Sequence, residues 1–341
     1  MDKLLLSAKA SPHIRTKTAT HNIMLDVCIA LLPAVGFGIY HFGWYVALVI
    51  LVTVLSAVLS EYLYTKLLNR PLTITDGSAV VTGLLLALSL PPSIPLWMPV
   101  IGAIFAIVIV KCLFGGIGQN FLNPALAARA LLLASWPAEM TTFIESRHAT
   151  DAFTNVTAVS SSTAIVDAES VATPLAGLAN NLADWPGDLG AFLDKLLGNS
   201  SGVIGEISIL AILIGAVYLF VRRVIRLDVP VIFLASFAFF AWMFIGTTDQ
   251  FFTGNPLAEM MFGGVMFVAV FMVTDYTTTP MTKRGRFIFA VGAGFLTAII
   301  RRYSSYPEGV TYAVLLMNLC VPLIDRLIVP KSFGKRRETR V

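Results

Sequence analysis

Residues 44–64 read Trp44-Tyr45-Val46-Ala47-Leu48-Val49-Ile50-Leu51-Val52-Thr53-Val54-Leu55-Ser56-Ala57-Val58-Leu59-Ser60-Glu61-Tyr62-Leu63-Tyr64. Glu61 is the one charged side chain in an otherwise apolar or hydroxylated run. About 20 such residues, rising 1.5 Å each, cross a hydrocarbon core of about 30 Å. The stretch reads as a transmembrane helix. Comparable runs lie on both sides of it, at about 23–40, 77–90, 96–114, 121–136, 203–221, 229–246, 257–274, 286–300 and 310–329. His41-Phe42-Gly43 makes a tight turn between the first two, and the short third run ends at Pro91-Pro92. Of 341 residues, 57% are hydrophobic and 13% charged, and mean hydropathy is +0.80. Soluble domains carry about 25% charged residues. Disorder, collagen, a coiled coil and an ordinary cytosolic enzyme are excluded. The fold class is an all-α membrane protein of about ten transmembrane helices, and the lipid bilayer is its first partner.

Ten spans put both termini on one side. Segments assigned to that side carry 19 of the 24 Lys and Arg residues, as the positive-inside rule requires. Arg147, Lys195, Arg301 and Arg302 fall outside, and Arg129 falls within a span. Arg301-Arg302 is the discordant pair, expected to snorkel at a helix end. The net charge of +4 comes as short clusters between spans, with no interleaved aromatic stripe, so no nucleic acid is expected. The 22 polar residues at the N-terminus contain no signal-peptide core, and insertion is expected to rely on the first helix. Cys28, Cys112 and Cys320 form no CxxC pair, which argues against a disulfide framework, zinc or an iron–sulfur cluster.

The chain divides into 1–136 (five spans), a large outer loop 137–202 of net charge −6, and 203–341 (five spans and a basic tail). Because five is odd, the second half enters the membrane with opposite polarity. An inverted five-helix repeat is therefore topologically available. Asn123-Pro124-Ala125-Leu126 and Asn255-Pro256-Leu257-Ala258 each open an apolar run and lend it slight support.

Four polar constellations could carry chemistry. Phe114-Gly115-Gly116-Ile117-Gly118-Gln119-Asn120-Phe121-Leu122-Asn123-Pro124 combines three glycines with three amides. Amides supply both donors and acceptors and would match the imide edge of an uncharged heterocycle. The same residues also make a plain inter-helix turn, with Asn123 as N-cap and Pro124 at the first helical position. Asp76-Gly77-Ser78-Ala79-Val80-Val81-Thr82-Gly83 opens the third run, which is too short to span alone and reads equally as a half-helix ligand site or a completed span. Arg129 inside a span marks function by default, or else pairs structurally with Asp26 or Glu61. Thr274-Asp275-Tyr276-Thr277-Thr278-Thr279-Pro280 reads first as a turn rich in local hydrogen bonds, and second as a ligand or ion ledge. In the outer loop, Thr173-Pro174 by itself reads as a helix N-cap.

Asp76–Leu85, Phe114–Ala125 and Ala172-Thr173-Pro174-Leu175 resemble, in order and spacing, the NqrB/RnfD family. Its members are membrane subunits of the sodium-pumping NADH:quinone oxidoreductase and of the Rnf ferredoxin:NAD complex. The short segment ahead of the first span points to the RnfD branch. The resemblance implies FMN joined through its phosphate to a threonine, here Thr173, although Val171 stands where the stricter motif has glycine. It also implies a non-covalent riboflavin nearer the inner side, for which Gly118, Gln119, Asn120 and Asn123 are the candidates, with Asp76 and Thr82 behind them. These residues are implied to hold flavins, and none of them needs to act as an acid, base or nucleophile. The implied role is an electron-carrying subunit of a redox-driven, ion-translocating oxidoreductase, inactive alone, in a bacterial inner membrane with cytoplasmic termini and a periplasmic 137–202 loop. The implied partners are other Rnf subunits, among them a periplasmic flavin subunit, and a flavin transferase. The alternatives are the NqrB-type subunit or a flavin-free transporter or channel. Either Na⁺ or H⁺ is compatible with the sequence as the translocated ion.

Overall fold

A computed structural model describes residues 20–70, 73–143, 189–198, 202–245, 252, 254–304 and 309–329 of the chain. Every regular element among them is helical. Helix α1 spans Thr20–Phe42 and α2 Trp44–Leu67, separated only by Gly43 at φ 79°. Then come α3 (Ser78–Leu88), α4 (Trp97–Ile104, continuing as a π-helix over Phe105–Cys112), α5 (Pro124–Ser135) and the short α6 (Pro137–Thr141). The later helices are α7 (Leu189–Leu197), α8 (Ile209–Val221), α9 (Asp228–Phe244), α10 (Pro256–Met261), α11 (Val265–Phe271), α12 (Lys283–Tyr303) and α13 (Val310–Leu327).

Helices α1, α2 and α13 are long and apolar enough to cross a membrane, and α3, α4, α5, α8 and α9 are shorter apolar helices. Outward-facing Leu51, Leu55, Leu59 and Val217 are more than half exposed, as lipid-facing positions must be. Inside, small residues let helix backbones approach, the usual device where lipid offers no hydrophobic contrast. A β-carbon on Gly83 of α3 would lie 2.9 Å from the Val54 Cα of α2. Gly294 of α12 meets Ser236 and Phe233 of α9 in the same way, beside the fully buried Phe233, Phe237 and Phe289.

The third run takes one of the two forms weighed for it, and two further expected spans differ from the sequence reading, each for a physical reason. The third is a half-helix: 11 residues cover about 16 Å at 1.5 Å per residue. Its last carbonyl and that of Leu90 just beyond it are completed by a buried turn from the second half, with Gly205 N–H donating to Leu88 O at 2.7 Å and Ile204 N–H to Leu90 O at 3.0 Å. That turn is the start of the expected 203–221 span, which becomes helical only at Ile209, where the Ser208 hydroxyl caps the Ala211 amide. The expected 257–274 span is broken. Its halves, α10 and α11, are separated by Phe262-Gly263-Gly264, with φ of 78° and 72° at the glycines, where a side chain would be strained.

The helix break explains the discordant arginine. Arg301 does not snorkel; its side chain is 2% exposed. Its Nη1 donates to Glu259 O and Glu259 Oε2, both at 2.7 Å, and its Nη2 to Phe262 O and Gly263 O, both at 3.0 Å. The carbonyls that α10 leaves without helical partners are thus satisfied by one guanidinium. Both Asn-Pro pairs do cap helices: Asn123 Oδ1 accepts from Ala125 N and Leu126 N, and Asn255 Oδ1 from Ala258 N. They open the fifth span of one half and the third of the other, so they do not occupy equivalent places in a repeat.

Candidate functional site

The N-terminal ends of α1, α3 and α5 converge with the C-terminal ends of α4 and α8 and with the chain after α11. Between them lies an open-mouthed cavity with about 110 Å³ of space accessible to water. Its apolar wall includes Met24, Val81, Leu85, Leu219, Ile225 and Phe271; its polar wall is Ser78, Thr82, Lys111, Asn120, Asn123, Thr274, Asp275, Tyr276 and Thr277. Mostly apolar walls with a few fixed polar groups are the usual lining of a ligand site.

One polar wall is organised around the start of α3. Gly77, at φ 77°, turns the chain into the helix, and Asp76 Oδ1 accepts from the Ser78 amide at 2.8 Å and the Ser78 hydroxyl at 2.6 Å. Lys111 reaches in from the π-helical end of α4. Its Nζ donates to both oxygens of Glu61 at 2.9 Å and to Ser78 Oγ, while Thr73 Oγ1 donates to Glu61 Oε1 at 2.8 Å. By sequence Lys111 is one of the inner topological charges, yet it is buried in an ion pair. The signal that could have found it is its place: a cation closing an apolar run, directly before Cys112-Leu113-Phe114-Gly115-Gly116, with Glu61 buried in the neighbouring span.

A second stretch of polar wall is the turn after α11. Asp275 Oδ1 accepts from the Thr277 amide at 3.0 Å and the Thr277 hydroxyl at 2.9 Å. Burial pushes the Asp275 carboxyl above the ordinary carboxylate range, against those bonds, and likewise raises the Tyr276 phenol.

Of the residues expected at a heterocycle site, Asn120, Asn123 and Thr82 line the cavity. Asn123 Oδ1 is committed to capping α5, and its Nδ2 lies 3.5 Å from Met272 O. Asn120 Oδ1 is buried with no hydrogen-bond partner among the described residues. A buried acceptor left unmade costs about 1–3 kcal/mol, so this atom calls for a donor from within the cavity. Gly118 (φ 84°), Gln119 and Asp76 are not among the walls; Gln119 folds against Gly115, and Asp76 holds Ser78. Thr173 lies outside the described residues.

Arg129 is at neither wall. The acids weighed as its partners are otherwise engaged, Asp26 with Arg222 (3.1 Å) and Tyr218 (3.0 Å), and Glu61 with Lys111. Arg129 lies instead at the helix break, where a β-carbon on Gly264 would stand 3.5 Å from Glu206 Oε2 and 3.9 Å from Arg129 Nη1.

Residues 7–334 match the model of the NQR2, RnfD, RnfE family. The chain belongs to that family. Relatives of similar length within it include the D subunit of the Na(+)-translocating ferredoxin:NAD(+) oxidoreductase complex of Acetobacterium woodii, 44% identical over 98% of this chain and 97% of its own length. The D subunit of the proton-translocating ferredoxin:NAD(+) oxidoreductase complex of Clostridium ljungdahlii is 42% identical over 98% of both chains. The D subunit of the ion-translocating oxidoreductase complex of Stutzerimonas stutzeri is 39% identical over 94% of this chain and 93% of its own. The glycine and amide run before α5 and the start of α3, which frame the cavity, both lie inside the matched NQR2, RnfD, RnfE region.

Proposed function

We propose that the chain is the RnfD-type membrane component of an ion-translocating ferredoxin:NAD oxidoreductase complex. In this reading it carries electrons across a bacterial inner membrane through two flavins. FMN is held covalently by the Thr173 hydroxyl on the outer, periplasmic side, placed there by a flavin transferase. A non-covalent riboflavin occupies the cavity between α1, α3, α5 and α8. Family membership and the names of the relatives support the Rnf assignment, and full-length similarity to chains that bear those names favours it over the NqrB alternative. Two of those names specify different ions, so the ion belongs to each complex and does not transfer by likeness.

The observation that carries the second flavin is the orphaned Asn120 Oδ1 in a largely apolar cavity. The imide edge of an isoalloxazine presents one N–H donor between two carbonyls. Asn120 can accept from that N–H, and the Thr82 hydroxyl is on hand for a ring carbonyl. A bound flavin supplies the redox chemistry, whereas the protein fixes its position and electrostatics.

One preparation tests both flavins. The chain is co-expressed with its complex and a flavin transferase, then run on a denaturing gel and viewed under ultraviolet light. A fluorescent band that disappears in Thr173→Ala is the expected result for FMN. Riboflavin released by denaturing the same preparation, in near-stoichiometric amount and depleted by Asn120→Ala, is expected for the cavity. A dark band despite an active transferase, or no released riboflavin, refutes the corresponding half.

A further inference from the structure

We infer that Asp275 is the proton-exchanging group of the cavity: it gives a proton to the heterocycle held there as the ring is reduced, and takes one back on reoxidation. This rests on the reading of the cavity as a flavin site.

Reduction delivers negative charge into a largely apolar site of low polarisability, where an uncompensated charge is costly. The nearest cation offers little relief. Lys111 is already neutralised by Glu61, and its remaining donor is given to Ser78. A proton is therefore the available compensation, and the ionisable groups around the cavity differ in their freedom to supply one. Glu61 is locked against Lys111 and Thr73. Asp76 is tied to Ser78 and stays outside the wall. Tyr276 is 54% exposed, and its phenol is pushed up rather than down. Asp275 stands in the wall itself, in the cavity that Ser78, Thr82 and Lys111 also line. Its carboxyl is oriented by two bonds to Thr277 on one oxygen. Burial holds that carboxyl protonated to higher pH than a free aspartate, the direction a proton donor requires.

One electron arrives from a reduced flavin upstream, a role the covalent FMN fills in this reading. The Asp275 O–H bond breaks and a ring N–H bond forms, leaving a carboxylate. A hydronium ion or buffer acid from the solvent at the open mouth then returns a proton to the carboxylate, and reoxidation runs the sequence backwards.

The test uses the purified complex with its riboflavin, reduced rapidly by dithionite and followed by absorbance, because protonated and anionic reduced rings differ in spectrum. In the wild type, proton uptake is expected to keep pace with reduction and to slow as pH rises through a single group above the ordinary carboxylate range. In Asp275→Asn with full flavin content, the ring is expected to appear first as the anion and to take up its proton about 10²- to 10⁴-fold more slowly. Asp275→Glu restores the rate, and formic acid or imidazolium added to Asp275→Asn partly rescues it, which a merely structural role would not produce. An unchanged rate in flavin-loaded Asp275→Asn overturns the assignment. If that variant loses its flavin, the wild type decides, since a proton-uptake rate that does not vary with pH overturns it equally. A wild type holding no non-covalent flavin refutes instead the flavin reading on which the inference rests.

Discussion

Lys111 Nζ lies 2.9 Å from both carboxylate oxygens of Glu61, and the two side chains are 3% and 1% exposed. Such a pair is costly to desolvate and, once formed, very costly to break from one side. Lys111→Met or Glu61→Gln alone is expected to lower stability by about 3–5 kcal/mol, by leaving an unpaired buried group. The double variant Lys111→Met, Glu61→Gln, which removes both charges, should recover much of that loss. Thermal unfolding in detergent of the four proteins tests this, and strict additivity would show that the pair is not coupled.

Arg301 ties a helix break rather than a surface. Arg301→Lys keeps a charge for Glu259 but cannot reach the Phe262 and Gly263 carbonyls together, because an ammonium lacks the planar fork. A loss of about 1–3 kcal/mol follows from the unmet carbonyls, and Arg301→Ala should cost more, since Glu259 then loses its buried counter-charge. Protease sensitivity near residues 262–264 gives the local readout; if both variants resist cleavage as the wild type does, the capping role is wrong.

Gly205 seats the second half of the chain against α3. A β-carbon there would lie 2.8 Å from Leu88 Cβ and 2.9 Å from Leu88 O. Gly205→Ala should therefore destabilise by about 1–3 kcal/mol through overpacking, whereas Gly116→Ala, open in space but at φ 95°, should show backbone strain without a clash. Comparing the melting temperatures of the two separates packing from strain.

The pH dependence of stability follows from Asp275. Its folded carboxyl titrates above its unfolded value, so folding favours the protonated form. The stability this provides is complete below the ordinary carboxylate range and is lost as pH rises through the raised value. Asp275→Asn, uncharged throughout, should flatten that decline in unfolding curves recorded from acid to neutral pH; an unaltered pH profile would disprove the assignment.

The helical membrane architecture was legible in the sequence, because an apolar run of about 20 residues has few other uses, and Gly43 or Pro91-Pro92 ends such runs visibly. The interruptions were less legible. Gly263-Gly264 sits inside an apolar run, and hydropathy does not register a change of backbone hand. Val203 and Ile204 are apolar because they are buried, which imitates a helix start. At the cavity, Asn120 and Asn123 of the amide run and Thr82 of the Asp76–Thr82 segment stand among the lining residues. The part played by Lys111 depends on Glu61, 50 residues away, and that of Asp275 on walls drawn from the first half of the chain; no local pattern encodes either. Asn120 and Asn123 look alike in sequence; only the start of α5 separates them, by engaging Asn123 as its cap and leaving Asn120 Oδ1 open.

The bonds from Ile204 and Gly205 to Leu90 and Leu88 also set an order of assembly. As the chain leaves the ribosome, α3 is made long before the segment that completes its carboxyl end. Hydrocarbon offers those carbonyls no substitute partner. The half-helix therefore cannot settle at its final depth when it emerges, and must wait beside the insertion machinery or near the water interface until residue 205 arrives. The first five spans are thus an unfinished product on their own, and the two halves of the protein mature together, at the end of synthesis.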